Sequence, residues 1–337
     1  MANVVVIGSF NVDHVWRCTA LPAAGETLSG SYTSGPGGKG FNQAIAAARA
    51  GAQTTFVCAL GDDVGGQQAR ELATADAIDL RDQRSDRPTG TAGIYVDAEG
   101  RNSIVIGPGA NAALSVAFVA QQRDVIASAN VVLVQLESPL DAITQALQLT
   151  HDAKRIAVLN PAPANAITRT ALLLLTDILT PNETEFVALL ARHGNERIDA
   201  DRIAAMDDAQ LHALCRQLLP HGSVLVTLGA SGVFVSHPQS NLRGDAAACY
   251  RIAAEAVDVI DTTGAGDAFN GALAASLANR ANAVFSGHVR FANRYAAMST
   301  EKPGAASAMP HLAEVDKRFG ILSHEDFLRS QERTWAR

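Results

Sequence analysis

Residues 261–267 read Asp261-Thr262-Thr263-Gly264-Ala265-Gly266-Asp267 and run straight into a helix-like stretch, Ala268-Phe269-Asn270-Gly271-Ala272-Leu273-Ala274-Ala275. Small residues at Gly264, Ala265 and Gly266 let backbone N–H groups converge at a helix start, where unsatisfied donors and the helix dipole favour negative charge. Phosphoryl transfer to an alcohol needs such an anion hole for the charge on the migrating group, and a carboxylate to accept the hydroxyl proton. Asp267, next to the glycines, is placed for that second task. A carboxylate after a glycine-rich turn can also simply cap its helix, and this segment alone does not separate the two.

A second glycine-rich segment, Gly35-Pro36-Gly37-Gly38-Lys39-Gly40-Phe41-Asn42-Gln43, also opens a helix. Lys39 is followed by Gly40, so GxxxxGK[ST] is not met, and the glycines do not fit GxGxxG. Glycines here let the backbone approach a ligand closely, with Lys39 and Asn42 supplying polar contacts. Asn11 and Asp13, two apart in an extended stretch, point to one side and offer the donors and acceptors that vicinal hydroxyls require. His14 reads as a packing or surface residue. Glu137 ends an apolar strand and is costly to bury unpartnered, so it meets a ligand hydroxyl or pairs internally. The stretch Thr180-Pro181-Asn182-Glu183-Thr184-Glu185 carries amide and carboxylate groups able to organise Mg²⁺ and its waters, and Thr227-Leu228-Gly229-Ala230-Ser231-Gly232 is a small-residue turn that can admit a nucleoside. Either is also compatible with an ordinary loop.

These groups need elements to hold them. Short apolar runs at 4–7, 55–59, 131–136, 156–159, 178–180 and 224–228 read as buried strands, and the Ala- and Leu-rich stretches 42–50, 65–75, 140–153 and 209–219 have helical period. The alternation predicts an open, mostly parallel sheet covered by helices on both faces. Such sheets bind ligands beyond the carboxyl ends of their strands, where Asn11, Asp13, Gln135, Glu137, Asn160, Asn182, Glu185 and Gly229 fall. Segments 12–33 and 91–106, the second with a turn at Asp97-Ala98-Glu99-Gly100, break the alternation and are compatible with a small β-sheet lid over that crevice or with an extra hairpin that has no role. The charged 192–208 region reads as a solvated surface, and 312–331 as a closing helix.

Composition narrows the chemistry. With 337 residues, 47% of them hydrophobic, the chain can bury a substantial core. A net charge of −7 offers no general attraction to nucleic acid or anionic lipid. Cys18, Cys58, Cys215 and Cys249 lie far apart with no CxxC pair, which suggests reduced thiols rather than a zinc site or disulfides. No secretory leader and no membrane-length apolar run is read, so a cytoplasmic protein is expected. The missing glycine fingerprint after 4–7 argues against a nicotinamide dehydrogenase.

In order along nearly the whole chain stand GSFNVD, GGKGFNQA, ALGDD, GPGANAALS, QLESP, LNPAPA, TPNETE, TLGASG and DTTGAGDAFNGA. With these motifs the chain resembles the PfkB, or ribokinase, family of carbohydrate kinases, and the ribokinase branch most closely. The resemblance implies a three-layer αβα core (1–11, 34–90 and 107–337) with a β lid (12–33 and 91–106) through which two copies pair. It implies Asp267 as general base beside an anion hole at Gly264, Ala265 and Gly266, and sugar contacts from Asn11, Asp13, Gly38, Lys39, Gly40, Asn42 and Glu137. ATP would meet Asn182, Gly266, Asn293 and the turn Thr227, Leu228, Gly229, Ala230, Ser231 and Gly232; Mg²⁺ would be ordered through water by Asn182 and Glu185. K⁺ would sit among Asp261, Thr263, Ser299, Lys302, Gly304 and Ala308, mostly on main-chain carbonyls, with Ala308 where a Ser is common.

The expected reaction is transfer from ATP to ribose, giving ribose 5-phosphate and ADP. A nucleoside or another sugar is the alternative acceptor, and a non-catalytic sugar sensor the alternative outside enzymes. Phe41 stands where a small residue is usual; a ring turned toward the sugar would narrow the pocket or stack on a larger acceptor.

Overall fold

The computed structural model describes residues 3–320. Nine strands form the large sheet. From one edge to the other they are β13 (Cys249–Ile252), β12 (Val233–Ser236), β11 (Ser223–Thr227), β10 (Ile178–Leu179), β9 (Ile156–Leu159), β8 (Val131–Val134), β1 (Asn3–Ile7), β4 (Gln53–Gly61) and β5 (Asp79–Ser85). Neighbours are parallel from β5 to β11; the β11–β12 and β12–β13 pairs are antiparallel, so β12 alone is reversed in this sheet. Side chains alternate across the sheet as the pleat requires. Val4, Val6, Phe56, Cys58, Leu60, Val131 and Leu133 enter the core under helices Lys39–Arg49, Ala265–Asn279 and Phe285–Ser299. Val5, Ile7, Val57, Ala59, Val132 and Val134 enter a second core under Leu140–Asp152, Glu183–Leu189 and Asp208–Leu218. The central strands are apolar on both faces because helices cover both.

A separate four-stranded sheet has the order β3 (Ser31–Gly37), β2 (Asn11–Arg17), β6 (Gly90–Val96), β7 (Asn102–Gly107), with β2 parallel to β6 and the outer pairs antiparallel. Its strands include Asn11, 34–37, Gly90 and Gly107, which the sequence reading leaves to the core. Every residue of β7 is exposed, including Ile104, Val105 and Ile106.

Three strands escape the sequence reading. β5, sequence DLRDQRS, is a charged edge strand whose Asp82 is paired by Arg70, and β12 and β13 form a short antiparallel edge. The closing helix is present as Leu312–Phe319; its predicted continuation, 321–331, lies outside the described residues. The Phe41 ring does not turn toward a sugar: it is buried in the core, edge-on to Phe10 at 5.0 Å and 5.9 Å from Phe56, so it neither narrows a sugar pocket nor stacks on an acceptor. Helix position decides this, since Phe41 and Asn42 are adjacent and project about 100° apart. No helix among the described residues is long and apolar enough to cross a membrane.

Candidate active site

Small residues bring two helix starts together. A Cβ on Gly271 would lie 2.4 Å from the Gln43 carbonyl and 2.5 Å from the Ala46 Cβ, so only glycine lets Ala265–Asn279 close on Lys39–Arg49. Gly40 likewise leaves no room for a side chain against Ser9 N, at 2.5 Å, which seats the second helix on the end of β1. Gly38, at φ 87°, turns the chain from β3 into that helix, and a Cβ there would meet Asn11 N at 2.8 Å. Gly264, at φ 76°, performs the same turn before Ala265–Asn279, with Ala305 filling the space a side chain would need.

The two helix starts and the strand ends enclose a cavity of about 160 Å³. Asp267 lies in it with Lys39, Gly264, Ala265, Gly266, Asn160, Asn182, Glu185 and Thr227. Asn42 Nδ2 donates to Asp267 Oδ2 and Gln43 Nε2 to Oδ1, both at 2.9 Å. Burial pushes the Asp267 carboxyl above its ordinary range, against the opposing effects of Lys39 and the two amides. Neutral donors thus hold a basic carboxylate open to the cavity; it is not locked in an ion pair. The Ala265 N–H donates to Thr262 O at 3.2 Å, whereas the following amides, in the first helical turn, have no carbonyl of the helix behind them. A Cβ at Gly266 would meet nothing within 4 Å, so the backbone there faces open space.

Lys39 is caught between opposing effects. Burial lowers it, but the Asp267, Glu137 and Glu185 carboxylates outweigh burial and hold the ammonium above its ordinary value. Glu137 Oε2 accepts from Ser9 Oγ at 2.6 Å and from Lys39 N at 3.0 Å, which ties the second glycine segment to the end of β8. Asp13, on the small sheet, is pushed up to about 7 by burial and then by Glu137 and Asp267. Asn11 accepts from Asn111 Nδ2 at 2.8 Å, and Asn111 also clamps both backbone groups of Phe10. His14 stays outside this set, bonded to Tyr32 Oη at 2.7 Å.

The remaining residues divide. Asn182 and Glu185 form a capping box, Asn182 Oδ1 accepting from Glu185 N at 2.8 Å and Glu185 Oε2 from Asn182 N at 2.9 Å. One oxygen of Glu185 is so engaged, and burial raises its carboxyl despite that bond and Lys39. Thr227 bridges to Asn182 in parallel. Gly229, Ala230 and Ser231 are exposed at the tip of a turn, with Gly229 at φ 52°, whereas Gly232, at φ 86°, is buried with Leu228. Asn293 does not line the cavity; its Nδ2 donates to Ala253 O at 2.7 Å. Asp261 joins two loops, accepting from Thr263 N at 2.9 Å and Gly304 N at 2.9 Å. Those bonds outweigh burial and keep it ionised below the usual range. Ser299 Oγ donates to Ala296 O and Lys302 Nζ pairs with Glu314; Ala308 is buried.

Sequence reasoning passed over Ser9, Gln43 and Asn111. Gln43 is wholly buried beside Asn42. The one signal for it was a second amide in an otherwise alanine-rich helix.

A family model described as pfkB family carbohydrate kinase matches residues 1–312. The ribokinase of Haemophilus influenzae is 37% identical over 317 residues, covering 93% of this chain and 97% of that protein. The structure of ribokinase from Giardia lamblia superposes with a TM-score of 0.83 at 31% identity, over 96% of this chain and 99% of that one. Arabidopsis thaliana ribokinase complexed with ribose and ATP superposes at 0.77 and 31% identity, over 94% and 98%.

Proposed function

Because the chain belongs to the pfkB family of carbohydrate kinases and is a ribokinase-type phosphotransferase acting on a sugar hydroxyl, we propose that ribose is its acceptor and Asp267 its general base. In this reading Asp267 takes the proton of the sugar's primary hydroxyl as the γ-phosphoryl group of ATP moves onto that oxygen. The observation that carries it is a carboxylate held by Asn42 and Gln43 in one cavity with Lys39 and the open helix start at Gly266. The amides of Gly264, Ala265 and Gly266 would receive the charge of the migrating group. Asn11, Asp13, Gly38, Lys39, Gly40, Asn42 and Glu137 would hold the sugar beneath the lid formed by 12–33 and 91–106, and water would be excluded when the lid closes. The Arabidopsis protein complexed with ribose and ATP supports both ligands by likeness.

The nucleotide would lie along Asn182, Asn293 and the 227–232 turn. Mg²⁺, ordered through water by Asn182 and the oxygen of Glu185 that the capping box leaves free, would neutralise phosphate charge. K⁺ would suit the loop pair that Asp261 joins through its ionised carboxylate, held mostly by main-chain carbonyls of Thr263, Ser299, Lys302, Gly304 and Ala308. Pairing of two copies through the exposed lid strand β7, with Ile104, Val105 and Ile106, completes the reading.

An acceptor panel covering ribose, other furanoses and keto sugars, and nucleosides, assayed for ATP-dependent ADP release with and without K⁺, tests the assignment. Ribose should give the highest kcat/KM and K⁺ should raise it. A nucleoside in first place would overturn the acceptor, and ribose binding without ADP release would favour a sensor.

The ionisation of Asp13 adds a pH dependence. A carboxylate accepting hydroxyl protons from the sugar must be ionised, so ribose affinity should be level above pH 7 and fall toward tenfold per unit below it. The folded-state value lies above the unfolded one, so the native state holds the extra proton between about pH 4 and 7. Asp13 therefore costs stability increasingly as pH rises through that window. Calorimetric ribose titrations of Asp13→Asn should lose the pH slope. Melting curves of the variant should show a gain on the order of 2 to 4 kcal/mol at pH 8 that shrinks by pH 5.

A further inference from the structure

Gln43 has no side-chain exposure to solvent and uses one nitrogen twice: Nε2 donates to Asp267 Oδ1 at 2.9 Å and to Asn160 Oδ1 at 3.0 Å. Its Oε1 accepts from Gln135 Nε2 at 2.5 Å. Each amide dictates the next. Asn160 Nδ2 donates to the Thr180 carbonyl at 3.0 Å, which can only accept, so Asn160 must present its oxygen to Gln43. Gln43 must then turn its NH₂ toward Asn160 and Asp267. The reverse orientation would set its oxygen against a carbonyl and a carboxylate.

The chain of bonds also returns to its origin. Thr180 Oγ1 donates to Asn270 Oδ1 at 2.5 Å, and Asn270 Nδ2 donates to the Gly266 carbonyl at 2.8 Å. That carbonyl and the Asp267 N–H belong to one planar peptide and point in opposite directions. Holding the carbonyl therefore aims the N–H.

We propose that Gln43 is a positioning residue for phosphoryl transfer: it fixes the Asp267 carboxylate for the acceptor hydroxyl and, through Asn160, Thr180 and Asn270, links that setting to the amide at the start of the helix. The inference rests on Asp267 acting as base. The other groups acting on Asp267 are Lys39 and Asn42, which favour the ionised form, and Glu137, which opposes it; Asp13 and Glu185 are in turn raised by Asp267. Gln43 favours the ionised form by hydrogen bonding. Losing its donor should move the acid limb of activity to higher pH.

Gln43→Met keeps length and apolar bulk and removes the amide. It should lower kcat roughly ten- to hundredfold, the scale of a hydrogen bond to a charged group, leave the ribose dissociation constant within about twofold, and raise the acid limb of the kcat/KM profile by about one pH unit. In an Asp267→Asn background the same change should have almost no further effect on kcat. If Gln43→Met does not yield folded protein, the isosteric Gln43→Glu reads the same contact and should raise the acid limb further, because two carboxylates then face each other. Wild-type kcat and an unmoved acid limb in a folded Gln43 variant would overturn the proposal, as would a full additional loss in the Asp267→Asn background. Near-normal turnover in Asp267→Asn itself would instead remove the base assignment on which the proposal rests.

Discussion

Asp267→Asn should turn over roughly 10² to 10⁴ times more slowly than the parent, the usual contribution of a general base, while ribose binding stays close to normal. The two effects separate because of how the carboxylate is held. Asn42 and Gln43 donate to opposite oxygens of Asp267. An amide of the same shape keeps one of those bonds and loses the other, so the pocket survives with a modest local penalty. In the proposed reaction, what disappears is the basic oxygen that would take the acceptor hydroxyl's proton. Lys39 and the helix-start amides, which line the same cavity, would remain to stabilise phosphoryl charge and leave a residual turnover. Steady-state ADP release measured beside calorimetric ribose titration checks the result. Parental turnover in the variant would exclude Asp267 as the base.

The parts of this site that were legible in the sequence are those where backbone chemistry leaves a mark on residue choice. Gly38 and Gly264 adopt positive φ where each helix begins, and glycine at those positions marks Lys39 and Asp267 as residues beside a sharp turn. The strands of the large sheet were legible because burial on both faces makes them continuous apolar runs. β5 was not: as a charged edge strand it satisfies its polar groups through Arg70, Asp82 and Arg84, and its sequence resembles a loop. The orientation of Phe41 and the role of Gln43 were not legible for a related reason. Their roles depend on how closely Ala265–Asn279 approaches Lys39–Arg49, a distance set by Gly271, more than 200 residues away in sequence. A one-residue step around that helix sends Phe41 to the core, Asn42 to one carboxylate oxygen and Gln43 to the other.

If transfer proceeds in the proposed site, replacing Lys39 with Met should lower kcat/KM by roughly 10² to 10³, because the variant would lose a preorganised cation beside the migrating group. The substitution also removes the cation facing Asp267, Glu137 and Glu185, while the backbone bond from residue 39 to Glu137 stays available. Lys39 lowers the carboxyls of both Asp267 and Glu185 in the native protein. Without it both should rise further, so the acid limb of activity should move to higher pH. Stability follows the same sign. A carboxylate raised in the folded state destabilises above its unfolded value, increasingly until the folded value is passed. The variant should therefore melt close to the parent near pH 5, where the carboxylates can take up protons. At pH 8 it should lose about 3 to 5 kcal/mol, the cost of leaving buried charge without its partner. Melting temperatures and kcat/KM measured from pH 5 to 9 read both effects at once. A stability difference independent of pH, together with an unmoved acid limb, would mean that the Lys39 ammonium does not compensate these carboxylates and acts only by filling space.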